Sequence, residues 1–417
     1  MVRRAGITGA TAILAGTLLV AGCAGTPALL TPSRHRPALA TAPGCATGEL
    51  AVAFDFEGAA AARCVIAGPR SVSLLIGPEH APPINPSPWY AFRYRAAAGA
   101  PVTLTLRYLH STHRYSPKLT IGEAVVELPA ATSDGGRTAR VELPSGEGVV
   151  SAQPIVAGEH YAAFARRLER DFAARRVTLG RSLDGRPIEA LRLGASEAPR
   201  LIVLLGRQHP PEVTGHYAME PFVEELAARL KADPALARSY QVLAVPLINP
   251  DGVALGHWRA NRGGVDLNRD WGPFTQPETR AIRDHLAALP TRVRIVAMID
   301  FHSTSRNLFY VQGEEASAAQ VRFVADWLAG DENAYPGYPF SIVPSNANPG
   351  SGTSKTWFHA TYGVPAITYE VGDNTKRPHA AAAAIGLAGR LLPALGRLGA
   401  AHPRGLATQV VLDVETR

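Results

Sequence analysis

Two patterns of apolar and polar positions divide the chain. Between about residues 48 and 150, apolar residues alternate with polar ones in short runs: ELAVAFDFEG, SVSLLIG, WYAFRYR, VTLTLRYL, AVVELP and ARVELP. A period of two marks half-buried strands, and the Gly, Pro, Asn and Ser clusters between the runs mark turns, so this half predicts a small antiparallel β-sandwich. EHYAAFARRLERDFAARR follows, with Tyr161, Phe164, Leu168 and Phe172 three or four apart, the spacing of a linking helix. Beyond it, RPIEALRLG, PRLIVLLG, YQVLAVPLINP, RVRIVAMIDFHS and PAITYEVG are runs apolar almost throughout. GHYAMEPFVEELAARLKAD, TQPETRAIRDHLAAL, AAQVRFVADWLAG and AAAAAIGLAGRLLPALGRL stand among them with helical character. Strands buried on both faces and separated by amphipathic helices predict an α/β domain, a mixed, largely parallel sheet with helices on both faces. The expected organisation is a sandwich over 47–155, a second domain over 156–400 and a tail over 401–417.

The amino terminus adds a location. In MVRRAGITGATAILAGTLLVAGCAG, Arg3 and Arg4 precede an apolar stretch from Ile7 to Val20 that is too short to cross a bilayer, and small residues end it at Cys23. This reads as an export signal over 1–23. VAGC, residues 20–23, resembles the lipobox of bacterial lipoproteins, which implies a lipid on Cys23 and an exported protein anchored to a membrane of the cell envelope. The alternative is an ordinary signal peptide with an incidental cysteine. Residues 24–46 form a tether, rich in Pro, Ala and Thr. Cys45 and Cys64 would face an oxidising compartment, paired as a disulfide or buried as two thiols.

Charge changes the picture little. Of 417 residues, 46% are hydrophobic, enough for two cores, and the formal net charge of +7 is carried mostly by Arg, since Lys118, Lys231, Lys355 and Lys376 are the only lysines. A basic balance suits acidic partners, but the charges are spread along the chain without a dense basic block interleaved with aromatics, so nucleic acid is not expected as a partner.

Ligand sites in such sheets lie beyond the carboxyl ends of the strands. GRQHPPEVTGHYAM begins at such an end, and there His209 and Glu212 stand in an H-x-x-E spacing. His302 closes the run IVAMIDFH and Glu370 lies near the end of PAITYEV. Two imidazoles and a carboxylate, with a fourth position left to water, make the ligand set of a catalytic zinc site holding one ion. Alone, H-x-x-E recurs by chance, and a histidine at a strand end is commonly a core or capping residue. NPDGVALGHWRANRGGVDLNRDW, residues 249–271, reads as a solvated loop or as a source of cations for an oxyanion and a substrate carboxylate; Arg259, Asn268 and Arg269 are the candidates.

HPPE, NPDG, WR, GVDLNRDW, DFHS and ITYEVG, in this order, resemble the zinc carboxypeptidase family from roughly residue 175 to 395. The resemblance implies that fold for the second domain, zinc on His209, Glu212 and His302, and Glu370 as general base. It further implies Arg259 polarising the scissile carbonyl, Asn268 and Arg269 gripping the terminal carboxylate, and Asp266 orienting a ligating histidine. FDFEG, WYAFRYR and RYLHSTHRYSP are similar to the sandwich that precedes the catalytic domain in cytosolic carboxypeptidases. Two positions depart from the digestive members: Asn348 stands where they hold a mobile tyrosine, and Pro211 where they hold an arginine between the first two ligands. The same alignment puts Lys355 at the floor of the pocket for the C-terminal side chain, where an ammonium would favour Asp or Glu, or leaves it pointing to solvent. Three functions compete. The first is a carboxypeptidase acting on peptides with acidic C-termini, the second a murein-peptide hydrolase using the same zinc site, and the third an inactive zinc-fold binding protein.

Overall fold

The structure is a computed structural model that describes residues 44–80, 86–345 and 351–401. The export signal with Cys23, the tether up to residue 43, Asn348 and the tail beyond residue 401 lie outside the described residues.

The alternating half forms β1 (Cys45–Ala46), β2 (Leu50–Ala53), β3 (Arg63–Gly68), β4 (Ser71–Ile76), β5 (Ala91–Ala96), β6 (Val102–Tyr108), β7 (Lys118–Ile121), β8 (Ala124–Glu127), β9 (Ala131–Ser133), β10 (Thr138–Leu143) and β11 (Gly146–Ser151). They make two sheets, β1-β2-β5-β11-β7-β8 and β3-β4-β6-β10-β9. The period of two becomes burial: in β4 Val72, Leu74 and Ile76 are fully buried while Ser71, Ser73 and Leu75 are not, and Leu104, Phe92 and Val150 meet them in the core. One pair corrects the expectation of a purely antiparallel sandwich. Strand β5 crosses to the other sheet, so β4 and β6 come together in parallel, Val72 opposite Leu104. Alternation reports which face is buried; strand direction is set by the crossing. A disulfide joins Cys45 of β1 to Cys64 of β3 and so ties the two sheets.

Helix α1 (Gly158–Phe172) leads to an eight-stranded sheet. Its strands are β12 (Arg175–Arg181), β13 (Pro187–Gly194), β14 (Arg200–Gly206), β15 (Tyr240–Val245), β16 (Arg294–Thr304), β17 (Leu308–Val311), β18 (Ser341–Pro344) and β19 (Ala366–Gly372), in the order β12-β13-β15-β14-β16-β19-β17-β18. The centre, β15-β14-β16-β19, is parallel, and antiparallel pairings of β12, β13 and β17 extend it on both sides. The helices are α2 (Val213–Ala232), α3 (Pro234–Ser239), α4 (Pro250–Ala254), α5 (Pro277–Ala287), α6 (Ala318–Leu328), α7 (Ser354–Tyr362) and α8 (Arg377–Ala401).

Strand β14 shows why both faces are covered. Ile202 and Leu204 pack with Phe222 of α2, Trp327 of α6 and Leu391 of α8, whereas Leu201, Val203 and Leu205 pack with Ile282 of α5 and Phe358 of α7. All five are essentially fully buried, each contributing about 1.5–3 kcal/mol. The parallel centre brings the carboxyl ends of β14, β16 and β19 to one edge, and the β16/β19 register sets His302 opposite Glu370. The described residues all fall within one compact unit, so sandwich and sheet are packed together.

Candidate active site

The loop that leaves β14 is held from several sides. Arg207 adopts a left-handed conformation (φ 53°), and its buried guanidinium donates to the Tyr161 hydroxyl of α1 and to the carbonyls of Val156 and Pro210. Asn249 braces the same loop. Its amide donates to the Gln208 carbonyl while its Oδ1 accepts from Gly252 N, capping α4, so NPDG acts as a support. These contacts fix His209, and two residues of proline later Glu212 occupies the N-cap of α2. Its carboxylate makes no capping bond; it faces the histidines instead.

Helix α2 presses against the end of β16 at this point. A Cβ on Gly215 would lie 2.5 Å from the His302 carbonyl oxygen, so only glycine permits the approach. The Ser303 hydroxyl accepts from Gly215 N, and Thr214 Oγ1 lies 2.8 Å from it, locking the first turn of α2 beside His302.

The outcome is a converging triad. His209 Nδ1 lies 2.8 Å from Glu212 Oε1 and His302 Nδ1 lies 2.7 Å from Glu212 Oε2. The three ligand atoms all lie within 4.8 Å of one another. On the far side of each ring, His209 Nε2 meets Asp266 Oδ1 and His302 Nε2 meets Asp300 Oδ2, both at 2.9 Å. An imidazole that donates through Nε2 to a carboxylate presents its Nδ1 lone pair to a metal, so the donor set, its orientation and its outer carboxylates fit zinc. Burial works against the charge on Glu212, yet His209 and His302 hold its carboxyl well below the usual range. Burial disfavours the charged rings too, but Asp300 and Glu212 raise His302 well above the ordinary histidine value.

Glu370 enters from β19. Its Oε2 is buried with no hydrogen-bond partner, and burial pushes the carboxyl up to about 7, against the pull of His302 and with Glu212 adding to the rise. A carboxyl without a hydrogen-bond partner among the described residues, opposite His302 in the β16/β19 register, is a candidate for proton exchange.

Arg259 donates from Nε to Asp266 Oδ2 at 2.7 Å, the carboxylate that also backs His209, and its two Nη atoms make no hydrogen bond among the described residues. Asn268 is buried; its Oδ1 accepts from Ser354 N at the start of α7, and its Nδ2 lies 3.4 Å from His302 Nε2. Arg269 is exposed, with Nη1 on the Asn268 carbonyl at 2.7 Å. Gly352 (φ 69°) lets the segment before α7 close on this turn, because a Cβ there would sit 2.3 Å from the Arg269 carbonyl. Lys355 is buried: its Nζ donates to the carbonyls of Ser345 (2.7 Å) and Val311 (3.0 Å). Among the described residues it forms no ion pair, and burial pushes its ammonium down to about 8, weakly opposed by Glu315. The solvent-facing alternative for this lysine is overturned.

Sequence reasoning missed Asp300 and Gln208. Asp300 is fully buried and accepts from Gln208 Nε2 at 2.5 Å and from the Ser354 hydroxyl, while Gln208 Oε1 accepts from Trp271 Nε1 at 2.9 Å. Their signals were present in outline: an acid two residues before His302 shares its strand face, and Gln208 is the neighbour of His209. A second cluster, His160, His216 and Glu220, also gathers ligand-type atoms. Arg377 and Arg167 stand 3.6 and 3.9 Å from Glu220, and with Arg207 near His216 the surroundings are cationic. Electrostatics therefore make it a staple between α1 and α2, with Glu220 held below its ordinary value by His160 and His216 despite burial.

Comparison with known proteins agrees with this geometry. Residues 161–386, more than half of the chain, match the family model described as zinc carboxypeptidase. Cytosolic carboxypeptidase 2 of Danio rerio is 32% identical over 155 residues, 34% of this chain and 22% of that protein. Cytosolic carboxypeptidase 6 of Homo sapiens is 27% identical over 165 residues, 36% of this chain and 32% of that protein. The match thus spans about a fifth to a third of the length of these relatives. Among solved structures, a metallo-carboxypeptidase from Burkholderia cenocepacia superposes with a TM-score of 0.70 at 20% identity, covering 84% of this chain and 99% of that one. One from Pseudomonas aeruginosa, in complex with (2-guanidinoethylmercapto)succinic acid, gives 0.64 at 19% identity, covering 83% and 99%. Residues 152–401 number 250 of 417, about 60%, so these superpositions reach into the sandwich as well. With the family model running from within α1 into the first part of α8 and the ligand triad inside it, the chain belongs to the zinc carboxypeptidase family.

Proposed function

We propose that this protein is a zinc-dependent carboxypeptidase of the cell envelope that releases acidic residues from peptide C-termini, anchored through a lipid on Cys23. The observation that carries the reaction is the convergence of His209, Glu212 and His302 beside the unpartnered Glu370. His209, Glu212 and His302 would hold the zinc ion, which when bound would supply Lewis acidity. Arg269, whose guanidinium is exposed, binds the terminal carboxylate charge against charge, and Asn268 adds a neutral amide donor. The free Nη atoms of Arg259 stabilise the developing oxyanion, held in place by Nε on Asp266. Glu370 takes a proton from the attacking water at its buried Oε2 and returns it to the leaving amine.

Lys355 supports the acidic preference. Among the described residues its desolvated ammonium is caught only by neutral carbonyls, so a substrate Asp or Glu would compensate a charge that an apolar or basic side chain would leave unpaired. The location rests on VAGC at residues 20–23 and on the basic balance of the chain.

The test is a panel of peptides ending in Glu, Asp, Lys, Phe or Ala, together with purified murein peptides, read by mass spectrometry with wild type and Lys355→Met. Release of Glu and Asp at least tenfold faster than the others, with that preference lost in Lys355→Met, is expected. Cleavage of murein peptides alone would replace the substrate class, and an unchanged preference in Lys355→Met would remove the lysine from it.

A further inference from the structure

The loop that carries Arg259 is held from the second domain, where Asn249 Nδ2 donates to the Ala260 carbonyl, and also from the sandwich. Strand β4 ends at Ile76, and Gly77, Pro78, Glu79 and His80 then run into the second half of the molecule. Glu79 Oε1 accepts two backbone hydrogen bonds there, from Arg259 N at 2.8 Å and from Ala260 N at 2.9 Å. The carboxylate is 7% exposed, it makes no ion pair among the described residues, and its Oε2 is buried without a hydrogen-bond partner. The next residue, His80, is fully buried with its ring edge-on to His257 at 5.2 Å, so two consecutive side chains wedge into residues 257–260. A third contact lies close by, where Trp258 Nε1 donates to the Tyr115 hydroxyl of the sandwich at 3.2 Å.

A buried carboxylate without a cation is costly unless its hydrogen bonds are good ones, and Glu79 spends its bonds on the two peptide groups that flank the Arg259 Cα. The side chain of Arg259 is fixed at its other end by Nε on Asp266. With backbone and Nε both tied, the Nη atoms are left in one place. We infer that Glu79 is a positioning residue for the reaction, and that the sandwich thereby forms a working part of the active site by setting Arg259. This rests on the role proposed above for Arg259.

The experiment is a mutant cycle in the zinc-loaded, full-length protein, with Glu79→Ala, Glu79→Gln, Glu79→Asp and Arg259→Ala, and with Glu79→Ala and Glu79→Asp each combined with Arg259→Ala. The fastest-cleaved peptide of the panel is the substrate, with zinc content and melting temperature measured in parallel. Glu79→Ala should lower kcat about ten- to a hundredfold with KM changed less than threefold and zinc content unchanged. Glu79→Gln should stay within about threefold of wild type, because its amide oxygen still accepts both N–H groups. In the Arg259→Ala background, Glu79→Ala should cost less than twofold more, since it acts through the missing guanidinium. Equal losses in both backgrounds would mean a merely structural role and overturn the inference, as would a Glu79→Ala protein within twofold of wild type. If Glu79→Ala does not fold, Glu79→Asp keeps the charge but withdraws the oxygen by one methylene. A drop of about tenfold, absent in the Arg259→Ala background, is then expected, and no drop refutes the inference. Full activity in Arg259→Ala alone would instead expose a failure of the role given to Arg259, and the inference would fall with it.

Discussion

Replacing Asp300 by Asn tests how the triad is held. Asp300 Oδ2 takes three contacts, from His302 Nε2, Gln208 Nε2 and the Ser354 hydroxyl, and the group is fully buried. Asn keeps the shape and an acceptor oxygen for these donors, but it removes the charge that makes the His302 ring a strong ligand and buries an amide NH2 where Oδ1 has no partner now. Loss of such an outer carboxylate typically weakens a metal by 10- to 100-fold, which is about 1.4–2.7 kcal/mol. Asp266→Asn should weaken zinc similarly through His209, but Asp266 also accepts from Arg259 Nε. The two variants should therefore separate. At saturating zinc, Asp300→Asn should recover turnover to within a few-fold of wild type, whereas Asp266→Asn should stay at least tenfold slower. Competition with a chromogenic chelator gives the affinities, and peptide hydrolysis across a zinc series gives turnover. Zinc affinity within twofold of wild type in Asp300→Asn would refute the reasoning that the outer carboxylate tunes this ligand.

Two further outcomes concern stability. Burial pushes the Glu278 carboxyl up to about 7, against bonds from its own backbone N–H and from Asn261, while the unfolded value is 4.5. The folded state then binds more protons than the unfolded one between those values. Its contribution is complete below pH 4.5 and is lost as pH rises through 7, by at most about 3 kcal/mol. Urea midpoints of wild type and Glu278→Gln should converge near pH 5 and part by pH 8 with the variant more stable; parallel curves would contradict this. Gly215→Ala places a methyl 2.5 Å from the His302 carbonyl, so α2 or β16 must shift. The expected cost is about 1–3 kcal/mol together with weaker zinc binding, and an unchanged melting temperature and zinc affinity would show that the contact relaxes freely.

Much of this was legible in the sequence because burial imposes period. RLIVLLG announces a strand covered on both sides, and β14 has residues in both cores of the sheet. H-x-x-E after that strand and a histidine closing IVAMIDFH gave the triad, since both stand at strand ends brought to one edge by the parallel register. Strands β17 and β18 were missed because four residues carry too little periodicity, and β12 because RRVTLGR is neither alternating nor apolar throughout. The parallel β4/β6 pair was hidden because alternation does not encode direction. Lys355 was placed by alignment to the family it resembles, whereas its capture by two carbonyls depends on β17 and on the segment after β18. Glu79 had no local signal: it lies 180 residues from Arg259 and is one acid in a loop, and only the packing of sandwich on sheet gives it a partner.

The most direct test of the account compares zinc-reconstituted wild type with Glu370→Gln on a peptide with an acidic C-terminus, following release of the free amino acid while zinc content is measured in the same samples. Glu370 is outside the ligand triad, so the variant should bind one zinc as tightly as wild type and release the amino acid about 10²–10⁴-fold more slowly. Release at the wild-type rate by Glu370→Gln, or none by fully zinc-loaded wild type on any peptide of the panel, would contradict it.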